Sequence, residues 1–137
     1  MAGPESTALV PVRIVVHRVS RVLELDYGEG RSYRLPFEFL RVYSPSAEVR
    51  GHGPGQEVLQ VGKAEVGIES VEPVGKYAIQ PRFSDGHATG IYSWDYLHRL
   101  GENQQQMWQA YLKRLEEAGE SRHAGAGIAA RPVSRPR

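Results

Sequence analysis

Five histidines, at positions 17, 52, 87, 98 and 123, are the side chains of this 137-residue chain best suited to hold a metal or move a proton near neutral pH. No two of them lie four residues apart, so the helical two-histidine zinc pair is missing. There is no cysteine, which removes disulfides, thiolate zinc sites, iron–sulfur ligation and thiol nucleophiles. His17 ends a strand-like run and is expected to meet a partner or water. His98 has Asp95 three residues before it on a helix and is expected to pair there. His123 lies in a polar tail. His52 and His87 differ, because each sits in a glycine-flanked turn: Gly51-His52-Gly53-Pro54-Gly55 and Asp85-Gly86-His87. Loops held on a rigid scaffold are where sites tend to be built. These two are the candidate metal ligands, with Asp85 or Asp95 as co-ligands; imidazole and carboxylate suit zinc, iron or manganese. Both also have a plain reading as structural turn residues.

Other chemistry is poorly served. Ser84, Asp85 and His87 are close in sequence, but neighbouring hairpin-turn residues point apart, and no nucleophile elbow surrounds them. Residues 50–56, RGHGPGQ, lack the lysine and hydroxyl of a phosphate-binding loop. Glu57, Glu65, Glu69, Glu72, Glu116 and Glu117 read as solvated charges. No catalytic set emerges, so no enzyme is expected. A net charge of +1 argues against a chain built to neutralise phosphates, and no RNA-binding sheet signature is visible, so no nucleic-acid partner is expected. Tyr77, Phe83, Tyr92, Trp94 and Tyr96 gather around the second turn, either as core packing or as a binding surface.

The elements that must position these residues are legible. Residues 12–17, 22–25 and 32–35 read as three antiparallel strands, with turn chemistry at 26–30. Pro36 suits the first position of a short helix carrying Phe37, Phe39, Leu40 and Tyr43. Ser44-Pro45 repeats the start signal for a helical turn reaching about Val49. Residues 66–74 and 77–83 are strand-like, Asp85-Gly86 predicts a type I′ hairpin, and 88–92 is the expected return strand. Pro81 must lie at an edge or a bulge. Ser93 caps a helix over 94–100. Residues 102–118 form an amphipathic helix, striped with Met107, Trp108, Tyr111, Leu112 and Leu115 and stopped by Gly119. The fold class is α+β: antiparallel β-sheets, short connecting helices and one C-terminal amphipathic helix.

At this length one domain is expected, and 24% charged with 40% hydrophobic residues is ordinary globular composition. Residues 1–10 read as a flexible N-terminus, 11–118 as the domain and 119–137 as a disordered basic tail. That tail carries Arg122, Arg131, Arg135 and Arg137 against one acid, Glu120. The N-terminal residues contain neither a basic signal-peptide region nor the about 20 apolar residues of a membrane span. A cytoplasmic location without membrane association is expected.

Three blocks, SPSAEV, GHGPGQ and DGH-TGIYSWDYL, together with the sequence around them from about Val12 to Leu100, resemble the gamma-butyrobetaine hydroxylase-like N-terminal domain family, including its small bacterial stand-alone members. In the oxygenases this domain precedes a separate iron- and 2-oxoglutarate-binding barrel, and nothing here resembles that barrel. The resemblance implies a structural zinc held by three cysteines and a histidine. Ser44, Ser46 and Val49 stand at the cysteine positions and His87 at the histidine position, so the zinc site is expected to be lost. The same domain occurs beside P-loop ATPases that carry iron–sulfur clusters. The resemblance therefore implies a non-enzymatic accessory module that contacts a protein partner in iron–sulfur cluster or oxygenase assembly, with no cofactor of its own. Its contact surface would comprise Gly51, His52, Gly53, Pro54, Gly55, Asp85, Gly86, His87, Tyr92, Trp94, Asp95 and Tyr96. The alternative is a metal-binding domain holding zinc or iron through His87 and other His or Asp groups.

Overall fold

A computed structural model of the chain describes residues 9–51, 53 and 55–123. Three strands come first: β1 (Arg13–His17), β2 (Val22–Gly28) and β3 (Arg31–Pro36), antiparallel in the order β1-β2-β3. The period-two pattern explains the orientation, because Leu23 and Leu25 on β2 and Leu35 on β3 all point to one face and are buried. Pro36 ends β3 and stands immediately before α1 (Phe37–Val42), every residue of which is buried. The short α2 (Ala47–Arg50) follows, with Ser46 Oγ accepting the Glu48 N–H. A long connection leads to the second sheet, β4 (Ile68–Val74), β5 (Ala78–Phe83) and β6 (Tyr92–Ser93), in the order β4-β5-β6. Two helices close the fold: α3 (Trp94–Glu102), capped by Ser93, and α4 (Gln104–Ala118), ended by Gly119 in the left-handed conformation. The architecture is thus mixed α+β, as the sequence predicts.

Both sheets and α1 contribute to one core. Leu23, Leu25, Leu35, Phe39, Phe83 and Leu97 are packed there with essentially no exposure. Val42, Tyr111 and Leu115 form a smaller cluster under α4. The predicted stripe on α4 is therefore packing, with Met107, Trp108 and Leu112 half-buried at its margins.

Three expectations require correction. The turn at 84–87 is not type I′, because Gly86 takes a positive φ (92°) while Asp85 does not. Phe83 O accepts the Gly86 N–H, and His87 O accepts the Phe83 N–H, which gives a three-residue loop ending in a left-handed glycine. Second, no return strand forms over 88–91. The chain swings away and rejoins only as β6, which pairs Tyr92 with Ile79 and Ser93 with Ala78. Pro81 lies in the part of β5 that β6 leaves uncovered, so its missing N–H costs no ladder bond.

Third, the described part of the expected tail, 119–123, is tied down. Gly62 N–H donates to Ser121 O and Ala64 N–H to Arg122 O, each at 2.9 Å. The Arg122 guanidinium grips the buried Glu38 carboxylate in a bidentate pair of 2.9 and 2.7 Å and lies over the Trp108 ring. An apolar anchor is not required when an arginine neutralises a buried acid. Residues 1–8 and 124–137, on which the remaining terminal expectations fall, lie outside the described residues.

Leu97→Ala should cost about 2–5 kcal/mol of stability, whereas Val19→Ala at a fully exposed hairpin tip should stay within about 0.5 kcal/mol. Urea denaturation of the two variants beside the parent checks this.

Candidate functional site

Two histidine-bearing turns are predicted to matter, and one of them organises a buried polar cluster. Ser44 and Ser46 lie where α1 hands over to α2, and the hydroxyl of Ser44 accepts the Ser46 N–H at 3.2 Å. Across the core surface comes the loop after β5. His87 Nε2 lies 2.9 Å from Ser44 Oγ, and His87 Nδ1 lies 3.0 Å from Glu48 Oε1. Ser46 Oγ and Thr89 Oγ1 form a second hydroxyl bridge of 2.7 Å. Asp85 anchors the loop itself. Its Oδ1 accepts the His87 N–H, and its Oδ2 accepts from Arg41 Nε at 2.9 Å and Lys63 Nζ at 2.7 Å.

Proton placement follows from these partners. An ionised Glu48 can only accept, so Nδ1 of a neutral His87 donates to it, and Nε2 accepts the Ser44 hydroxyl proton. Burial pushes the His87 imidazole below its ordinary value, aided by the Arg41 charge and opposed by Glu48 and Asp85. Desolvation alone would raise Asp85. The hydrogen bonds from Lys63 and the His87 N–H, together with Arg41, outweigh it and hold the carboxyl at about 2.

Ser44, His87 and Glu48 stand in the serine–histidine–acid order of a hydrolytic triad. The serine is not the Ser84 considered from sequence, whose hydroxyl instead accepts the Gly67 N–H. Yet Ser44 is 1% and His87 7% exposed. A β-carbon at Gly90 would collide with the Ser44 hydroxyl, so the backbone of 90 seals it. The arrangement is a cross-link between two segments 43 residues apart in sequence, its serine buried at the margin of the cleft that opens beside it.

The residues do not fit the zinc that the resemblance implies. Ser44 and Ser46 offer hydroxyls, Val49 offers an alkyl group, and both nitrogens of His87 are already engaged. Neutral hydroxyls and valine do not replace thiolates on zinc. Among the described residues no three His, Asp or Glu side chains lie together as a metal would require. His52 and Pro54 lie outside the described residues. His17 pairs with Glu24 at 2.7 Å. His98 does not pair with Asp95: Glu102, four residues on, lies 4.0 Å from it, and its ring packs edge-on against Tyr27 and Tyr33.

Beside the cross-link opens a cleft of about 520 Å³. Val42, Val49 and Val58 give it an apolar floor, with Arg50, Tyr96 and Arg114 along its walls. Of the expected contact surface, Gly51, Gly53 and Tyr96 line this cleft; Gly55, Asp85, Gly86 and Asp95 are exposed, and Trp94 is half-buried with Nε1 donating to Lys76 O. Tyr92 must be withdrawn from that surface. It is fully buried, and its hydroxyl donates to Leu40 O. His87 likewise faces inward. Sequence reasoning overlooked Ser44 as a partner of His87, and it overlooked Arg41, Arg50 and Arg114. Arg114 did carry a signal: it falls seven residues after Met107, on the packed stripe of α4, where a guanidinium needs a reason to be.

Because the cross-link is a buried hydrogen bond, His87→Ala and Ser44→Ala should each cost about 1–3 kcal/mol, and the double variant less than their sum. Urea denaturation checks both. With a depressed pKa, the neutral His87 contributes stability that is complete above its ordinary value of 6.5 and is lost as the pH falls below it; His87→Ala should remove that slope. Treatment with EDTA should leave the melting temperature unchanged.

The comparisons with known proteins agree with this architecture. The family model described as gamma-butyrobetaine hydroxylase-like, N-terminal, matches residues 14–98. A protein solved by NMR in solution is 46% identical, covers 93% of this chain and 100% of its own, and superposes with a TM-score of 0.76. A second NMR structure is 45% identical over 88% of this chain and 89% of its own, with a TM-score of 0.73. A crystal structure from Acidithiobacillus ferrooxidans ATCC 23270, of a DUF971-family protein of unknown function, is 41% identical over 71% of this chain and 98% of its own, with a TM-score of 0.58. No curated protein matches. With its family model spanning both sheets and most of α3, the chain belongs to the gamma-butyrobetaine hydroxylase-like N-terminal family.

Proposed function

We propose that this chain is a cytoplasmic, non-catalytic binding module that docks on a protein partner through the face around the cleft and the start of α3. The observation that carries the reading is the contrast between its two polar features. Among the described residues the constellation with a catalytic order, Ser44–His87–Glu48, has its serine and histidine buried and reads as structural, while Arg50, Asp95 and half-buried Trp94 and Tyr96 reach solvent on a face held rigid behind them. Aromatic and arginine side chains on a preorganised surface are what protein interfaces favour. Among the described residues no helix is long and apolar enough to cross a membrane. The partner class we favour is a protein of iron–sulfur cluster or oxygenase assembly, by analogy with the company that related domains keep.

Affinity capture from a native lysate, followed by hydrogen-exchange mapping of the recovered complex, tests this. One specific partner is expected, with protection concentrated over residues 42–58 and 94–99. Recovery of no specific partner, or protection confined to the β1–β2 face, would refute it.

A further inference from the structure

Resting on that binding reading, we propose that the cleft and the α3 surface beside it receive an acidic peptide segment of the partner, its carboxylates held by Arg50 and Arg114, which line the cleft, and by Arg99, which lies over the Tyr96 ring at its edge.

Most arginines among the described residues are engaged by the fold itself. Arg13, Arg34, Arg41 and Arg122 meet carboxylates, and Arg18 and Arg21 donate to backbone carbonyls. Arg50, Arg99 and Arg114, like Arg31 and Arg82, have no carboxylate within 4 Å among the described residues, but these three each lie over a tyrosine ring. Arg50 and Arg99 both lie over the Tyr96 ring, at 5.2 and 5.5 Å, and Arg114 lies over the Tyr43 ring at 5.9 Å. An arginine that lies over an aromatic ring and meets no carboxylate keeps guanidinium N–H groups with which to grip one.

The platforms beneath them are rigid. Tyr96 donates its hydroxyl to Tyr43 O, and Tyr43 donates its own to Met107 O, so both rings are pinned at the far end. A stacked arginine on a pinned ring has less rotamer freedom to lose on binding than one waving in solvent. The three charges are spread over two rings rather than converging on one point. That spacing suits several carboxylates along a chain better than a single phosphate. The apolar floor of Val42, Val49 and Val58 accommodates aliphatic side chains between the acids. Glu57 is the one acidic residue lining the cleft, and it opposes such a ligand.

The experiment uses the full-length protein and a fluorescein-labelled peptide alternating Glu with Leu, read by anisotropy against the same peptide with Gln for Glu. The acidic peptide should bind at least about tenfold more tightly than its Gln counterpart, and the preference should shrink as salt rises. Arg50→Glu and Arg99→Glu, both at exposed positions, should each weaken it about tenfold or more, Glu57→Gln should tighten it, and Arg82→Glu on β5 outside the cleft should change it less than about twofold. Circular dichroism confirms that each variant is folded. Equal binding of the Gln peptide, or indifference to Arg50→Glu and Arg99→Glu, overturns the proposal. Displacement of the peptide by millimolar inorganic phosphate but not by equal ionic strength of chloride also overturns it, in favour of a small-anion site. A partner captured from lysate whose binding ignores these charge reversals would leave the binding-module reading standing and sink only the acidic segment.

Discussion

Ser44 and His87 come from opposite halves of the chain, and the hydrogen bond between them holds the α1–α2 connection against the loop that leaves β5. In a chain without a thiol, nothing covalent can do this. The bond is effective because it is buried and its neighbours are satisfied. Ser44 accepts from the Ser46 backbone while bonding His87, and His87 reaches Glu48 with its other nitrogen. A buried polar group left without a partner costs about 1–3 kcal/mol, so each member of the cluster enforces the placement of the next. Asp85 supplies the electrostatic half of the same device by drawing Arg41 and Lys63 onto the loop.

Tyrosines extend the same logic through the helices. Tyr43, Tyr92, Tyr96 and Tyr111 each bury a ring and send the hydroxyl to a backbone carbonyl: Met107, Leu40, Tyr43 and Gln60 respectively. Every one of these bonds joins segments more than fifty residues apart in sequence. Desolvation raises the Tyr92, Tyr96 and Tyr111 hydroxyls above their ordinary value, Tyr111 to about 12, so they remain protonated donors at any physiological pH. Tyr27 is the exception, a buried hydroxyl with no partner among the described residues.

This division of labour bears on function. The polar residues that look reactive are spent on holding the fold together, and Arg50, Arg99 and Arg114 beside them meet no carboxylate among the described residues. The proposed binding role would call for a stiff frame under an exposed rim; the Ser44–His87 cross-link with its tyrosine ties would be that frame, and the arc from Arg50 to Arg99 the rim.

Much of the frame was readable from local physics. Ser93 marked a helix start, Gly119 marked a stop, and the α4 stripe named Tyr111 and Leu115 as packing, whereas the start expected at Ser44-Pro45 is capped two residues later by Ser46 because the Ser44 hydroxyl is engaged by His87. Each of these is decided within a few residues, by a period or by a cap. What the chain order alone did not disclose was which distant groups meet. That Tyr92 turns inward to Leu40, that Arg122 folds back onto Glu38 across 84 residues, and that Ser44 rather than an aspartate meets His87 are choices among many chemically equal partners. Only the packing of both sheets around α1 makes that selection, because it determines which polar atoms are buried and must therefore be satisfied.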